Sequence, residues 1–404
     1  MTQRIRGVLA PVVTPLKADL APDHKRFIAH CKWLLSQNCG LAVFGTNSEA
    51  NSLSMEERAM LLDELVAAGI DPSRTMPGTG CCSIMETVKL TKQAVGNGCA
   101  GVLMLPPFYY KDVSEEGLYR YFSDVVQRVG DARLKIYLYH IPPVAVVGIT
   151  TGLVERLLAA YPTAIAGMKD SSGDWNNTKT FLDAFAVRAR HETSSKSQTP
   201  SSKSQGSSKI QHPKDEGTFG ARRGGDIDNE TSFDVFVGSE SFLLAGMRNG
   251  VVGTISATAN VNPAAIDALY QSAKRQAPNP NHQGNSKHQR SKQHRAGALQ
   301  RGHENESNLN HQTSKMERQQ ADLDVVRQVF SNRKFPSMIA ALKQAVAIYA
   351  DDPAWRTVRP PLVELTPEQA KTLAAELKAI SFTMPGVRRA EARSQRSEGR
   401  GTAD

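Results

Sequence analysis

Eight short apolar runs separated by stretches of helical period predict a (β/α)8 barrel for this 404-residue chain. The runs occupy residues 7–13, 41–44, 75–80, 101–105, 135–139, 165–168, 235–238 and 252–256, each bounded by Gly or Pro. Between them lie amphipathic segments such as 23–35, 55–68 and 83–96. The starts of these helices are legible: Ser54 followed by Glu57 makes a capping box, and Ser114 precedes an acidic first turn. A doubly wound open sheet is the alternative, but no GxGxxG follows an early strand. After the eighth unit, residues 322–330, 339–350 and 366–380 read as further helices, with Pro353, Pro360 and Pro361 stopping the middle one.

The net charge of +9 first suggests a nucleic-acid partner, but its distribution argues otherwise. Three segments poor in apolar residues, 190–232, 274–315 and 386–404, carry seven, eight and five basic residues against six, two and three acidic ones. They hold all of the excess, so the other 300 residues are neutral in sum. The expected organisation is a barrel over 1–273 interrupted by a disordered insert at 190–232, followed by a basic disordered insert at 274–315. A helical C-terminal extension over 316–385 and a disordered tail over 386–404 complete it. Ser, Gln, Asn, His, Lys and Arg dominate both inserts, which have little to bury against the entropy of ordering. The second insert could touch a polyanion through charge alone, yet it lacks interleaved aromatics for base stacking, so no nucleic-acid partner is expected. Both inserts fall in connections that lead away from the strand C-termini, the face where barrel chemistry sits.

The five cysteines, at no metal-binding or disulfide-framework spacing, fit a reducing compartment, and the cytoplasm is the expected location. No apolar stretch approaches the roughly 20 residues of a membrane helix, and no leader is legible at residues 1–6. Neither a metal nor a cofactor is expected.

Among the strand C-termini, Lys169 is the most informative residue. It ends the apolar run Ala164-Ile165-Ala166-Gly167-Met168, where desolvation disfavours the ammonium and a neutral amine can attack a ketone. Tyr139, one strand earlier, can act as the matching acid and base. Taken singly, a strand-end lysine more often turns to solvent, and a strand tyrosine more often packs. The combination is more specific. Thr46, Tyr109, Tyr139-x-x-Pro142 and Gly167-x-Lys169-Asp170-Ser171-Ser172-Gly173-Asp174 fall in the order and spacing of the dihydrodipicolinate synthase/N-acetylneuraminate lyase family, which the chain resembles from about residue 7 to 362 outside both inserts.

The resemblance implies a homotetrameric class I lyase or aldolase that acts on pyruvate or a larger 2-oxo acid through a lysine imine. It implies that Lys169 forms the imine, that Tyr139 shuttles protons, and that Thr46 links Tyr139 to a second tyrosine from a neighbouring subunit. Tyr109 matches that second tyrosine best, with Tyr110 as the alternative. Asn47 takes the place of a residue that holds the substrate carboxylate, and Ile255 matches the position whose carbonyl faces the lysine. Two departures stand out. Ser48 replaces a glycine that permits unusual φ in Gly45-Thr46-Asn47-Ser48-Glu49, so the carboxylate pocket is expected to differ in detail, with Asn47 able to bind by its amide. Val144 stands where members making dihydrodipicolinate carry an arginine for the second substrate's carboxylate. The expected activity is therefore cleavage or formation of a C–C bond in a 2-oxo acid. A sugar-acid dehydratase and 4-hydroxy-tetrahydrodipicolinate synthase come second and third, and a silent scaffold with the basic insert as contact arm is the non-enzyme alternative.

Overall fold

The computed structural model describes residues 4–185, 233–276, 296–331 and 333–387. Seven strands form one parallel sheet: β1 Gly7–Ala10, β2 Gly40–Leu41, β3 Val102–Met104, β4 Ile136–His140, β5 Ile165–Asp170, β6 Asp234–Val237 and β7 Gly253–Ile255. Their hydrogen-bonded order is β2-β1-β7-β6-β5-β4-β3. The remaining expected strand, residues 75–80, is an extended segment that closes the ring without forming a regular ladder. Met76 and Gly78 donate backbone N–H groups to Leu41 and Val43 at 2.7 and 2.8 Å, while Thr79 donates to Leu103 at 3.0 Å. Pro77 has no N–H to give, although its carbonyl accepts from Leu103, so the segment meets both neighbours at isolated bridges.

Helices α1 His24–Ser36, α2 Met55–Ala67, α3 Ile84–Gly96 and α4 Glu115–Val129 follow successive strands. Each starts at a residue whose side chain accepts a first-turn N–H: Asp23 from Arg26, Ser54 from Glu57, Ser83 from Glu86 and Ser114 from Gly117. A short turn α5 Pro142–Ala145 precedes α6 Thr151–Ala160, and α7 Trp175–Phe185, α8 Leu243–Asn249 and α9 Pro263–Gln276 complete the outer layer. Inside the ring, Leu9, Ala42, Met76, Leu103, Tyr137, Phe236 and Ile255 form a buried core. Gly167 is dictated by this closure, because a Cβ there would lie 2.1 Å from the Asp234 carbonyl oxygen of the next strand.

The first insert, residues 277–295 of the second and the tail from residue 388 lie outside the described residues. The second insert differs from expectation at both ends. Residues 274–276 close α9, and helix α10 begins at Ala296, well before the expected residue 322, and runs to Ser331. Its first half mixes Ala, Leu, Gln, Arg and Glu with Gly, Asn and His and has no apolar stripe, so neither propensity nor periodicity announces it. Its second half buries Met316, Leu323, Val329 and Phe330. Helices α11 Met338–Tyr349 and α12 Pro367–Ala379 follow.

Candidate active site

Strand register brings the two informative residues together. In the β4–β5 ladder Tyr139 lies directly opposite Lys169, so residues 30 positions apart become cross-strand neighbours on the inner face. The Lys169 side chain is buried, with the residue only 4% exposed. Its Nζ donates to the Tyr139 hydroxyl at 3.3 Å and lies 4.4 Å from that ring's centroid. The Tyr139 hydroxyl also meets Thr46 Oγ1 at 3.3 Å. The chain of contacts is therefore amine, phenol, alcohol. Among the described residues no carboxylate lies within ion-pairing distance of Nζ.

These residues line a cavity of about 180 Å3 together with Asn47, Ile141, Ser239, Phe242, Ile255, Arg327 and Met338. Asp170, beside the lysine, is held by Ser172 N and Oγ at 2.8 and 3.1 Å, Asn177 Nδ2 at 3.1 Å and Thr178 Oγ1 at 2.5 Å. It is an acceptor whose lone pairs are already used. His140 Nδ1 accepts the Ile149 N–H at 2.9 Å, and burial pushes its pKa down against the pull of Asp170, which favours a neutral packing role. Gly238 is required here, since a Cβ would fall 2.7 Å from the Asp170 carbonyl oxygen.

Of the six residues singled out from sequence, five meet at this cavity: Lys169, Tyr139, Thr46, Asn47 and Ile255. Tyr109 does not. It is 73% exposed, stacks edge-to-face on Tyr110 with ring centroids 5.3 Å apart, and lies outside the cavity lining. Val144 is likewise exposed and away from the cavity. Ser48 fits its position without the φ of a glycine. Positive φ falls on Phe44 and Glu49, whereas Ser48 occupies a 3-10 turn in which its Oγ accepts the Gly45 N–H at 3.3 Å. Ser48 therefore braces the loop without backbone strain.

Four residues escaped the sequence reading. Glu49, quoted only as part of the loop motif, accepts from Lys343 Nζ at 2.5 Å and from the Arg359 N–H at 2.8 Å, both contributed by the C-terminal extension. Lys343 is fully buried, so this ion pair fastens the extension to the loop that carries Thr46 and Asn47. Glu240 is buried behind the cavity, where its carboxylate accepts from the Ser256 and Thr258 hydroxyls and from Arg327 Nη1 at 3.0 Å. Arg327 stands in α10, 87 positions from Glu240, and no local motif announces it.

A buried lysine backed by a hydroxyl pair, at the C-terminal ends of adjacent barrel strands, has the chemistry of a class I, imine-forming site. Comparison with known proteins agrees on the family. Residues 4–187 match the dihydrodipicolinate synthetase family. A 4-hydroxy-tetrahydrodipicolinate synthase from Thermus thermophilus is 30% identical over 270 residues, covering 66% of this chain and 74% of that one. An uncharacterized DapA-like lyase from Chloroflexus aurantiacus is 34% identical over 183 residues, so the match spans 45% of this chain and 60% of that relative's length. The crystal structure of dihydrodipicolinate synthase from Agrobacterium tumefaciens superposes with a TM-score of 0.65 at 26% identity, over 93% of this chain and 99% of the other. YagE, a prophage protein of E. coli crystallised with pyruvate, shares the fold at 21% identity and TM-score 0.66, over 94% of this chain and 99% of its own. The chain belongs to the dihydrodipicolinate synthetase family.

Proposed function

We propose that this protein is a Schiff-base lyase or aldolase that makes or breaks a C–C bond in a 2-oxo acid, with pyruvate as one partner. The observation that carries this reading is the buried Lys169 amine facing the Tyr139 hydroxyl, itself in contact with Thr46. In the proposed cycle, the neutral Lys169 amine adds to the C2 carbonyl. Tyr139 gives its proton to the departing hydroxyl, water leaves, and a protonated imine remains. The resulting phenolate takes the proton of the C4 hydroxyl, the C3–C4 bond breaks, and an aldehyde is released as the electron pair neutralises the iminium to an enamine. Protonation of C3 by Tyr139 and hydrolysis then free pyruvate and restore the amine. The iminium is the electron sink, so no other cofactor is needed. Asn47 and the turn it occupies are proposed to hold the C1 carboxylate, with Ile255 lining the opposite wall.

The proposal includes a cytoplasmic homotetramer in which Tyr109, or Tyr110 beside it, reaches the site of a neighbouring subunit. Its support is the exposure of two tyrosines, at 73% and 74%, on the loop that follows β3. Among the described residues no helix is long and apolar enough to cross a membrane, and no cluster of metal-ligating side chains is present. Incubation with pyruvate and borohydride tests the reading. Mass spectrometry should find the reduced adduct on the peptide containing Lys169. An unmodified Lys169 peptide, or an adduct on another lysine, overturns it.

A further inference from the structure

Besides the Lys169 amine, the cavity has a guanidinium in its wall. Arg327 lines it from α10, partly buried with 23% of its side chain exposed, beside the apolar side chains of Phe242 and Met338. One of its five N–H donors, on Nη1, goes to Glu240. That carboxylate also accepts from two buried hydroxyls, Ser256 and Thr258, so it does not depend on the guanidinium alone. The acidic group in the lining, Asp170, is saturated by Ser172, Asn177 and Thr178. Gln320, two helical turns before Arg327, anchors α10 to the same loop by donating to the Glu240 carbonyl at 3.0 Å and accepting from the Leu244 N–H at 3.1 Å. The guanidinium is thus tied to Glu240 next to apolar lining residues, and among the described residues the Glu240 carboxylate is the acceptor it meets. A planar fork in that setting is suited to a carboxylate.

We infer that Arg327 is a specificity-determining residue that receives a second carboxylate, borne by the aldehyde partner of pyruvate. The inference rests on the imine reading and deepens it, since the substrate becomes a short 4-hydroxy-2-oxo diacid. The cavity, at about 180 Å3, is smaller than the roughly 300–1,000 Å3 of sites for drug-sized ligands, and it suits a short diacid better than a long sugar acid. In the synthetic direction the enamine C3 attacks the aldehyde carbon and the new alkoxide takes its proton from Tyr139. The carboxylate on Arg327 sets which aldehyde is in position.

The experiment measures aldol addition of pyruvate to matched aldehydes, glyoxylate against glycolaldehyde and succinic semialdehyde against butanal. The ratio of kcat/KM for the acidic to the neutral member is the readout. Wild type should favour the acidic member of at least one pair. Arg327→Gln should cut that ratio about 10–100-fold, mostly through the KM of the acidic aldehyde, and Arg327→Lys should restore part of it because charge remains without the fork. Arg327→Gln also strips Glu240 of its counter-ion, so the double variant Glu240→Gln/Arg327→Gln is measured in parallel and should show the same loss of ratio. A ratio unchanged by both variants, or no preference for acidic aldehydes in wild type, overturns the assignment to Arg327. Pyruvate trapping on wild-type Lys169 keeps that failure distinct: if trapping succeeds only the Arg327 assignment falls, and if it fails both readings fall.

Discussion

Two lysines are buried in the described part of this chain, and their surroundings differ in kind. Lys343, 0% exposed, is paired with the Glu49 carboxylate at 2.5 Å. Burial pushes its pKa below the ordinary lysine range, and Glu49 pulls it back up. Lys169, 4% exposed, faces a phenol and has no carboxylate partner among the described residues. A buried ammonium needs an ionic partner to remain charged at modest cost. The first arrangement holds two elements together; the second, on the proposed function, presents the lysine to an electrophile. Replacing each lysine by methionine, which has similar length and no charge, should separate the two roles. Lys169→Met should lower turnover by at least about 10⁴-fold, as loss of a covalent nucleophile does, while stability by urea titration stays within about 1 kcal/mol. Lys169→Arg should not rescue it, because a guanidinium stays protonated and forms no imine. Turnover within tenfold of wild type in either variant would sink the mechanism.

Lys343→Met should behave in the opposite sense. It leaves Glu49 buried without its counter-charge, a loss of about 3–5 kcal/mol measurable as a lower urea midpoint. The protein that remains folded should still trap pyruvate on Lys169. Adding Glu49→Gln should recover part of the stability, because the unpaired carboxylate is then gone. If Lys343→Met leaves the midpoint unchanged, the pair contributes nothing to holding the C-terminal extension.

Tyr139→Phe sharpens the contrast from the phenol's side. It removes the partner of the Lys169 amine, and kcat should fall about 10²–10⁴-fold, the range of general acid–base catalysis. Imine formation, followed by borohydride trapping, should slow but persist. Equal rates for the variant and wild type would make Tyr139 a packing residue.

The contrast also explains what the sequence discloses. Lys169, Tyr139 and Thr46 sit at ends of apolar runs, so one-dimensional spacing marks them as strand C-termini of a barrel, and the β4–β5 register does the rest. Helix starts are legible for the same reason, since Asp23, Ser54, Ser83 and Ser114 act within three residues of themselves. Residues 75–80 are only half legible, because Pro77 breaks the ladder that an apolar pattern implies. Lys343 and Arg327 are not legible at all. Lys343 reads as an ordinary polar position in a helix, and its partner lies 294 residues away. Arg327 gains its meaning only when α10 packs on the loop after β6. Partnership across such distances has no periodic signature.

His30 offers a smaller effect on the stability side. Its ring is buried between Trp33 and Trp355, with ring centroids 5.4 and 5.1 Å away, and burial lowers its pKa to about 4. The unfolded chain takes up a proton near pH 6.5 and the folded chain only near pH 4, so the unfolded state binds more protons in between. Stability therefore falls as pH drops through that window, by on the order of 3 kcal/mol in total, and rises again toward neutral pH. Urea midpoints of wild type and His30→Gln between pH 4 and 7 measure this. The variant should show a shallower acid slope, and parallel slopes would remove His30 from the account.

The smallest expected effect lies at the third member of the amine–phenol–alcohol chain. Thr46 Oγ1 touches the Tyr139 hydroxyl at 3.3 Å, a long contact between neutral groups, from a turn braced by Ser48 and, through Glu49, by Lys343. Thr46→Val keeps the shape and removes the hydroxyl, so only the orientation of the Tyr139 proton is lost. A net hydrogen bond of this type is worth about 0.5–1.5 kcal/mol, which predicts a fall in kcat of about 2–10-fold. Thr46→Ser keeps the hydroxyl on a less constrained side chain and should fall between Val and wild type. Stability should change little in either variant, because the bracing contacts of the loop belong to its neighbours. Kinetics and urea midpoints measured on the same preparations distinguish the outcomes. A drop in kcat with an unchanged midpoint places Thr46 with Lys169 in the chemistry. A drop in both places it with Lys343, as part of what holds the loop, and the division drawn between the two buried lysines would then run on the other side of Thr46.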